Sequence, residues 1–306
     1  MSLDLLKFKS YLREDQLAIF LFHGVVTTAE RPVRNYTRKH IHRKEFEEFC
    51  RAFSDWGHPL ALSDVPKLWS TGKPLTPYSF AITFDDGFAN NYTVACPILE
   101  RFNLPATFYV TTSFLNSHQP SWIDAIEIAL ENTEFSRLCL DFLGGEFSIR
   151  TDLEKRALLN SLRATLKTST HIDPLEASAA ICESLRVDVS AHLDEELDRK
   201  LEEEEVVAIS SHSLFEVGGH SHTHRVLSNL SQELLEYEIA ESIKILSSIT
   251  GQPVFHYSYP EGQQESFNVG VVRVLKEAGI QVCPTAITGT NPVGSDLFAL
   301  RRIAVV

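Results

Sequence analysis

The chain has 306 residues, 43% of them hydrophobic and 23% charged, which suits a soluble globular protein with a sizeable buried core. A formal net charge of −13 and a pI near 5.4 argue against a nucleic-acid partner, whose phosphates select basic patches. Five widely spaced cysteines (Cys50, Cys96, Cys139, Cys182 and Cys283), odd in number and without a CxxC pair, speak for free thiols in a reducing compartment, not for a disulfide framework.

The first residues, MSLDLLKFKSYLREDQ, are too charged for a signal peptide, and no apolar run approaches the ~20 residues of a membrane helix. The expected location is the cytoplasm, with the inner membrane surface within reach. Along the chain, LAIFLFHGVV (17–26), SFAITFDD (79–86) and PATFYVTT (105–112) read as buried parallel strands, rich in Ile, Val, Phe and Tyr. The stretch SWIDAIEIAL follows. Trp122 and Asp124 there either line a sugar site through stacking or simply begin a helix with a packed aromatic. From about 138 to 201 the rhythm breaks. LCLDFLGGEFSIR resembles a hairpin about Gly144-Gly145, and DLEKRALLNSLRATLK and DPLEASAAICESL read as amphipathic helices. This stretch is expected to be an insertion within a single domain spanning 1–306.

The acidic run Glu202-Glu203-Glu204-Glu205 suits the solvated first turns of a helix better than a metal site. Next come FEVGGH (215–220), a helix capped by Ser231 and stopped by Gly251 with apolar Leu235, Ile239, Ile243 and Leu246, and then VFHYSY (254–259), IQVCPTAI (280–287) and LFALRRIAVV (297–306). Alternating strands and helices imply right-handed βαβ units, hence α/β architecture with an open parallel sheet or a barrel.

Two stretches carry chemistry. In TFDDGF (83–88), Asp85 and Asp86 end a strand side by side. Two adjacent carboxylates are either a turn or a catalytic or metal site. In GGHSHTH (218–224), the cluster is either a polar, solvated loop or a metal site: His220 and His224 are four apart and can converge on a cation, with a carboxylate as the natural third ligand. Three protein ligands would leave room for water, as catalytic metal sites do, and strand carboxyl ends are where such groups gather in parallel α/β folds.

On these residues the chain resembles the polysaccharide deacetylases, the NodB-homology group of carbohydrate esterase family four. TFDDGF resembles the family's first motif, GGHSHTH its second and YSYPEG (257–262) its third. The resemblance implies a distorted (β/α) barrel, seven strands being expected, and one divalent metal ion, usually zinc. The implied reaction is hydrolysis of the N-acetyl group of an amino sugar in a polysaccharide, glycan precursor or lipid-linked saccharide.

Carried over, Asp85 matches the catalytic base, Asp86, His220 and His224 the metal ligands, and Ser221 the hydroxyl that supports the loop; His222 falls at a variable position. Asp85 would take a proton from metal-activated water. Tyr259, Pro260 and Trp122 are candidate substrate contacts, a backbone N–H near Tyr259 joining the metal on the oxyanion. The chain departs from the family twice. Ser258 stands where many members have the arginine that orients the catalytic aspartate, and no histidine follows His256 to serve as general acid. A variant whose acid histidine comes from an N-terminal strand fits FLFHGVV (20–26) and assigns His23 that role. Arg302, near the far end of the chain, could stand beside His23 and Asp85 if the first and last strands are neighbours. The competing expectations are hydrolysis of another amide, and a saccharide-binding protein on a decayed catalytic scaffold.

Overall fold

The computed structural model describes residues 3–28, 31–117, 119–169 and 171–306. They fall into two compact units, one of Met1–Thr27, His40–Ser117 and Lys200–Val306, the other of Thr28–Lys39 and His118–Arg199.

The first unit is built on a seven-stranded sheet. Its centre is four parallel strands in the order Gln16–Phe22, Ser79–Phe84, Ala106–Val110 and Phe215–Gly219. Alternate side chains leave opposite faces of a strand, so these nearly unbroken apolar runs are covered on both sides. One face carries Phe20, Phe22, Phe80, Phe84 and Phe108, which meet Phe46, Phe49 and Phe53 of the helix Arg43–Trp56 in a single aromatic core. Phe84 stacks on Phe22 at 5.3 Å and on Phe108 at 5.0 Å. The other face carries Leu17, Ile19, Ala81 and Tyr109, packed with Val282 and Leu300.

Beyond Phe215–Gly219 the sheet continues as single bridges, Gly219 with Tyr257 and His256 with Val282. The runs expected as strands over 254–259 and 280–287 are therefore reduced to isolated pairs. Pro253, Pro260 and Pro284 bring no N–H to a ladder, which accounts for the interruption. The final run keeps only Ile303–Ala304, paired in parallel with Phe20 and Leu21. First and last strands are neighbours, and the fold is a distorted α/β barrel whose sheet is not closed by a continuous ladder.

Register fixes where functional groups collect. Phe22 pairs with Phe84 and Phe84 with Phe108, while Val110 pairs with Gly219. The residues that follow these strand ends, His23, Asp85 and His220, therefore emerge at one carboxyl edge.

The second unit has its own apolar cluster, including Ile126, Leu130, Leu159, Leu162 and Ile181. The hairpin about Gly144 is present, with Leu140 opposite Gly145, as are helices Asp152–Thr168 and Pro174–Ser184. The unit begins earlier than the expected insertion and takes in a second segment, Thr28–Lys39, through Lys39–Asp124 (2.6 Å) and Arg34–Asp198 ion pairs. Helix Glu203–Ser211 of the first unit starts within the acidic run, as its charge pattern implied. Among the described residues no helix is long and apolar enough to cross a membrane.

Candidate active site

Asp85 and Asp86 follow the strand Ser79–Phe84 directly, and Asp86 takes a left-handed backbone (φ 75°). A non-glycine residue held in this region costs about 1–3 kcal/mol and marks a place where the surrounding structure dictates conformation. Two more such residues, Ser221 (φ 62°) and His224 (φ 60°), bracket the turn after Phe215–Gly219.

The three strained positions bring their neighbours together. Asp86 Oδ1 lies 3.1 Å from His224 Nε2 and 3.5 Å from His220 Nε2, and one ligand atom from each residue lies within 4.8 Å of the others. The side chain of Asp86 is 13% exposed, that of His224 17% and that of His220 2%. Burial alone would raise the Asp86 pKa, but His224 and His220 hold it well below the usual carboxylate range.

The donor set fits a divalent cation. Two imidazole nitrogens and one carboxylate oxygen face a common point, and three protein ligands leave an open coordination position. His220 Nδ1 lies 2.9 Å from the Ser258 carbonyl, which assigns the proton to Nδ1 and leaves Nε2 free to ligate. His224 stacks on Phe114 at 6.1 Å. His222 is turned elsewhere, with Nδ1 2.9 Å from Thr112 Oγ1 and its ring edge-on to Tyr237.

Asp85 is held by a different partner. Arg302, wholly buried, donates from NH1 to Asp85 Oδ1 (2.8 Å) and from NH2 to Oδ2 (2.7 Å). The guanidinium is itself fixed by the Thr285 carbonyl (2.6 Å), Ser258 Oγ (2.9 Å) and Thr83 Oγ1 (3.2 Å). Burial pushes the Asp85 carboxyl up, and Arg302 followed by His220 brings it below its ordinary value. Arg302 thus orients Asp85 from the last strand region, and Ser258, at the position of the family's arginine, serves as one of its acceptors.

His23 follows the strand Gln16–Phe22 and is half-buried, close enough to lower the pKa of both aspartates. Asn91 Nδ2 donates to its carbonyl (2.8 Å), and Asn90 Oδ1 accepts the Val25 N–H (3.1 Å), so the two asparagines fasten the turn that carries the imidazole.

The residues expected as substrate contacts, Tyr259, Pro260 and Trp122, each have defined packing partners. Tyr259 is fully buried, stacked on Phe267 at 4.4 Å, with its hydroxyl donating to the Phe298 carbonyl (3.0 Å). Burial drives the thiol pKa of the neighbouring Cys283 well above its ordinary value. Pro260, next to Tyr259 in the chain, is buried. Trp122 belongs to the second unit, where it opens the helix Trp122–Asn132 behind the Ser121 cap and packs against that unit's apolar cluster. The expected helix start is present. Asp124, in the first turn of that helix, is paired with Lys39.

Among known proteins, the family described as Polysaccharide deacetylase matches residues 72–141 and 176–283. Poly-beta-1,6-N-acetyl-D-glucosamine N-deacetylase of Escherichia coli (strain K12) is 30% identical over 71 residues, 23% of this chain and 11% of that protein. The chain thus spans about a tenth of the length of the curated relatives it matches. Among solved structures, IcaB from Ammonifex degensii superposes with a TM-score of 0.61 at 15% identity, covering 97% of this chain and 94% of that one. The Streptococcus pyogenes deacetylase PplD in complex with acetate gives 0.57 at 14% identity, covering 96% and 93%. At these identities the structural likeness is one of fold.

Proposed function

The chain belongs to the polysaccharide deacetylase family, and on that premise we propose that it hydrolyses the N-acetyl group of an amino sugar in a polysaccharide, glycan precursor or lipid-linked saccharide. The observation that carries the reading is the meeting of Asp86, His220 and His224 around one point, beside an Asp85 clamped by Arg302.

A single divalent ion, zinc being the best match to two imidazoles and a carboxylate, would be held by those three side chains and would supply Lewis acidity at the acetyl carbonyl and a water acidic enough to react near neutral pH. The remaining work falls to the chain's own groups. Each Asp85 oxygen accepts one Arg302 N–H and keeps lone-pair capacity, so the carboxylate can take the proton of the attacking water without leaving its clamp. Attack forms the new C–O bond, and collapse breaks the C–N bond. His23, on the neighbouring strand end, donates the proton that lets the amine depart. Acetate and a free amino sugar result.

The reading of a decayed scaffold rested on the missing motif arginine and the missing C-terminal histidine, for which His23 is the proposed substitute. Arg302 supplies a guanidinium to Asp85 from another part of the chain, and this favours an enzyme.

The test is acetate release from N-acetylglucosamine oligomers, with bound metal measured on the same preparation. The expected result is hydrolysis that Asp85→Asn abolishes while metal content stays the same. Metal uptake without release of acetate from any such oligomer would overturn the proposal.

A further inference from the structure

Resting on the metal site proposed above, we propose that Glu238 is a positioning residue for that site: its buried carboxylate holds the strained turn that points His224 at Asp86. Glu238 lies on helix Gln232–Thr250, in phase with the buried Leu235, Ile239, Ser242 and Leu246, and is 1% exposed. An acidic side chain on the core face of a helix is costly unless donors meet it. Here they come from the turn. Glu238 Oε2 accepts the backbone N–H of His222 (2.9 Å) and of Thr223 (2.8 Å), while Oε1 takes the Thr223 hydroxyl.

These two residues stand between Ser221 and His224, the two left-handed positions of the turn. Each such position costs about 1–3 kcal/mol, so the turn needs outside support to persist. One side is held by residues 112 and 113, whose N–H groups donate to the Ser221 carbonyl (3.3 Å) and the His222 carbonyl (2.8 Å). The other side is held by Glu238. Ser221 Oγ closes the turn from within by accepting the His224 N–H (2.8 Å). Without Glu238, two N–H groups lose their acceptor, and the turn can relax toward ordinary backbone. That relaxation swings His224 off the point it shares with Asp86 and His220. Supports of this kind behind a metal ligand are typically worth ~10–100-fold in metal affinity.

The experiment is a Co²⁺ titration of the full chain, in chelator competition, with affinity and the visible d–d absorption band read together for wild type and for Glu238→Gln, Glu238→Asp and Glu238→Ala. Glu238→Ala should bind Co²⁺ ~10–100-fold more weakly with an altered band. Glu238→Gln, whose carbonyl oxygen still accepts the two N–H groups, should recover most of the loss. Glu238→Asp is one methylene too short to reach both N–H groups and should fall between. It preserves the comparison if the alanine variant does not fold. Equal affinity and an unchanged band across the series would overturn the positioning role, even if thermal stability fell. A wild-type protein that takes up no Co²⁺ would instead overturn the metal reading on which this role rests.

Discussion

The pairing of Arg302 with Asp85 can be tested by a double-mutant cycle on metal-free protein: Arg302→Met, Asp85→Asn and the two combined. Both partners are out of solvent, with side-chain exposures of 0% and 6%, and they meet through two N–H···O bonds of 2.8 and 2.7 Å. Opposite charges roughly 4 Å apart in a protein of effective dielectric constant about 20 attract by ~4 kcal/mol. Removing either partner strands the other without solvent, at a cost of about 3–5 kcal/mol. Arg302→Met also orphans the Thr285 carbonyl and costs the bonds to Thr83 and Ser258, so it should be the more harmful single change. In the double variant neither charge is stranded. Its loss should fall short of the sum of the singles by about 2–4 kcal/mol, the expected attraction less what solvent entry restores. Urea unfolding at neutral pH, with the chelator present throughout, measures all four corners, and unchanged m-values license the comparison. Additivity within about 0.5 kcal/mol would refute the reasoning, because it would mean the two groups do not feel each other.

Asp86→Asn or His224→Ala should abolish metal uptake, read by elemental analysis after dialysis, and hydrolysis should go with it. Asp85→Asn should retain the metal and lose ~10²–10⁴-fold in turnover, read by acetate release. In Gly218→Ala the new methyl would lie 2.7 Å from the Tyr109 ring and 2.8 Å from the His256 carbonyl oxygen, so the variant should lose about 1–3 kcal/mol in urea unfolding. His256 has its pKa lowered from 6.5, burial outweighing the attraction of Glu216. The unfolded chain therefore takes up this proton before the folded one, and the associated stability is whole above about pH 6.5 and is lost as pH falls below it. The midpoint of thermal unfolding should decline over that window in wild type and decline less in His256→Gln.

How much of this was readable from the chain differs from one residue to the next. Asp85, Asp86, His220 and His224 were visible because each sits immediately after an apolar run or in a spaced cluster, and strand register does the rest. Arg302 was visible only as a conditional: it depended on the first and last strands being adjacent, which Phe20–Ile303 pairing supplies but local pattern does not. The direction of the Tyr259 ring was not readable, because a strand-end position does not reveal which way a ring turns, and here it goes to Phe267. The strands over 254–259 and 280–287 were overestimated because apolar content outvoted Pro253, Pro260 and Pro284. Glu238 went unnoticed although a signal was present. It occupies a core phase of an otherwise apolar helix face, and a carboxylate there has to find donors.

The groups assigned to catalysis, its clamp and the metal include positions 23, 85, 220 and 302, which come from nearly the whole length of the chain, and none of these four reaches another without long loops being closed first. During refolding, helices such as Gln232–Thr250 can form from local contacts, whereas the guanidinium finds its carboxylate only after the strands at both extremes lie side by side. Recovered hydrolysis would then report the last event of assembly, lagging behind the return of the far-ultraviolet signal.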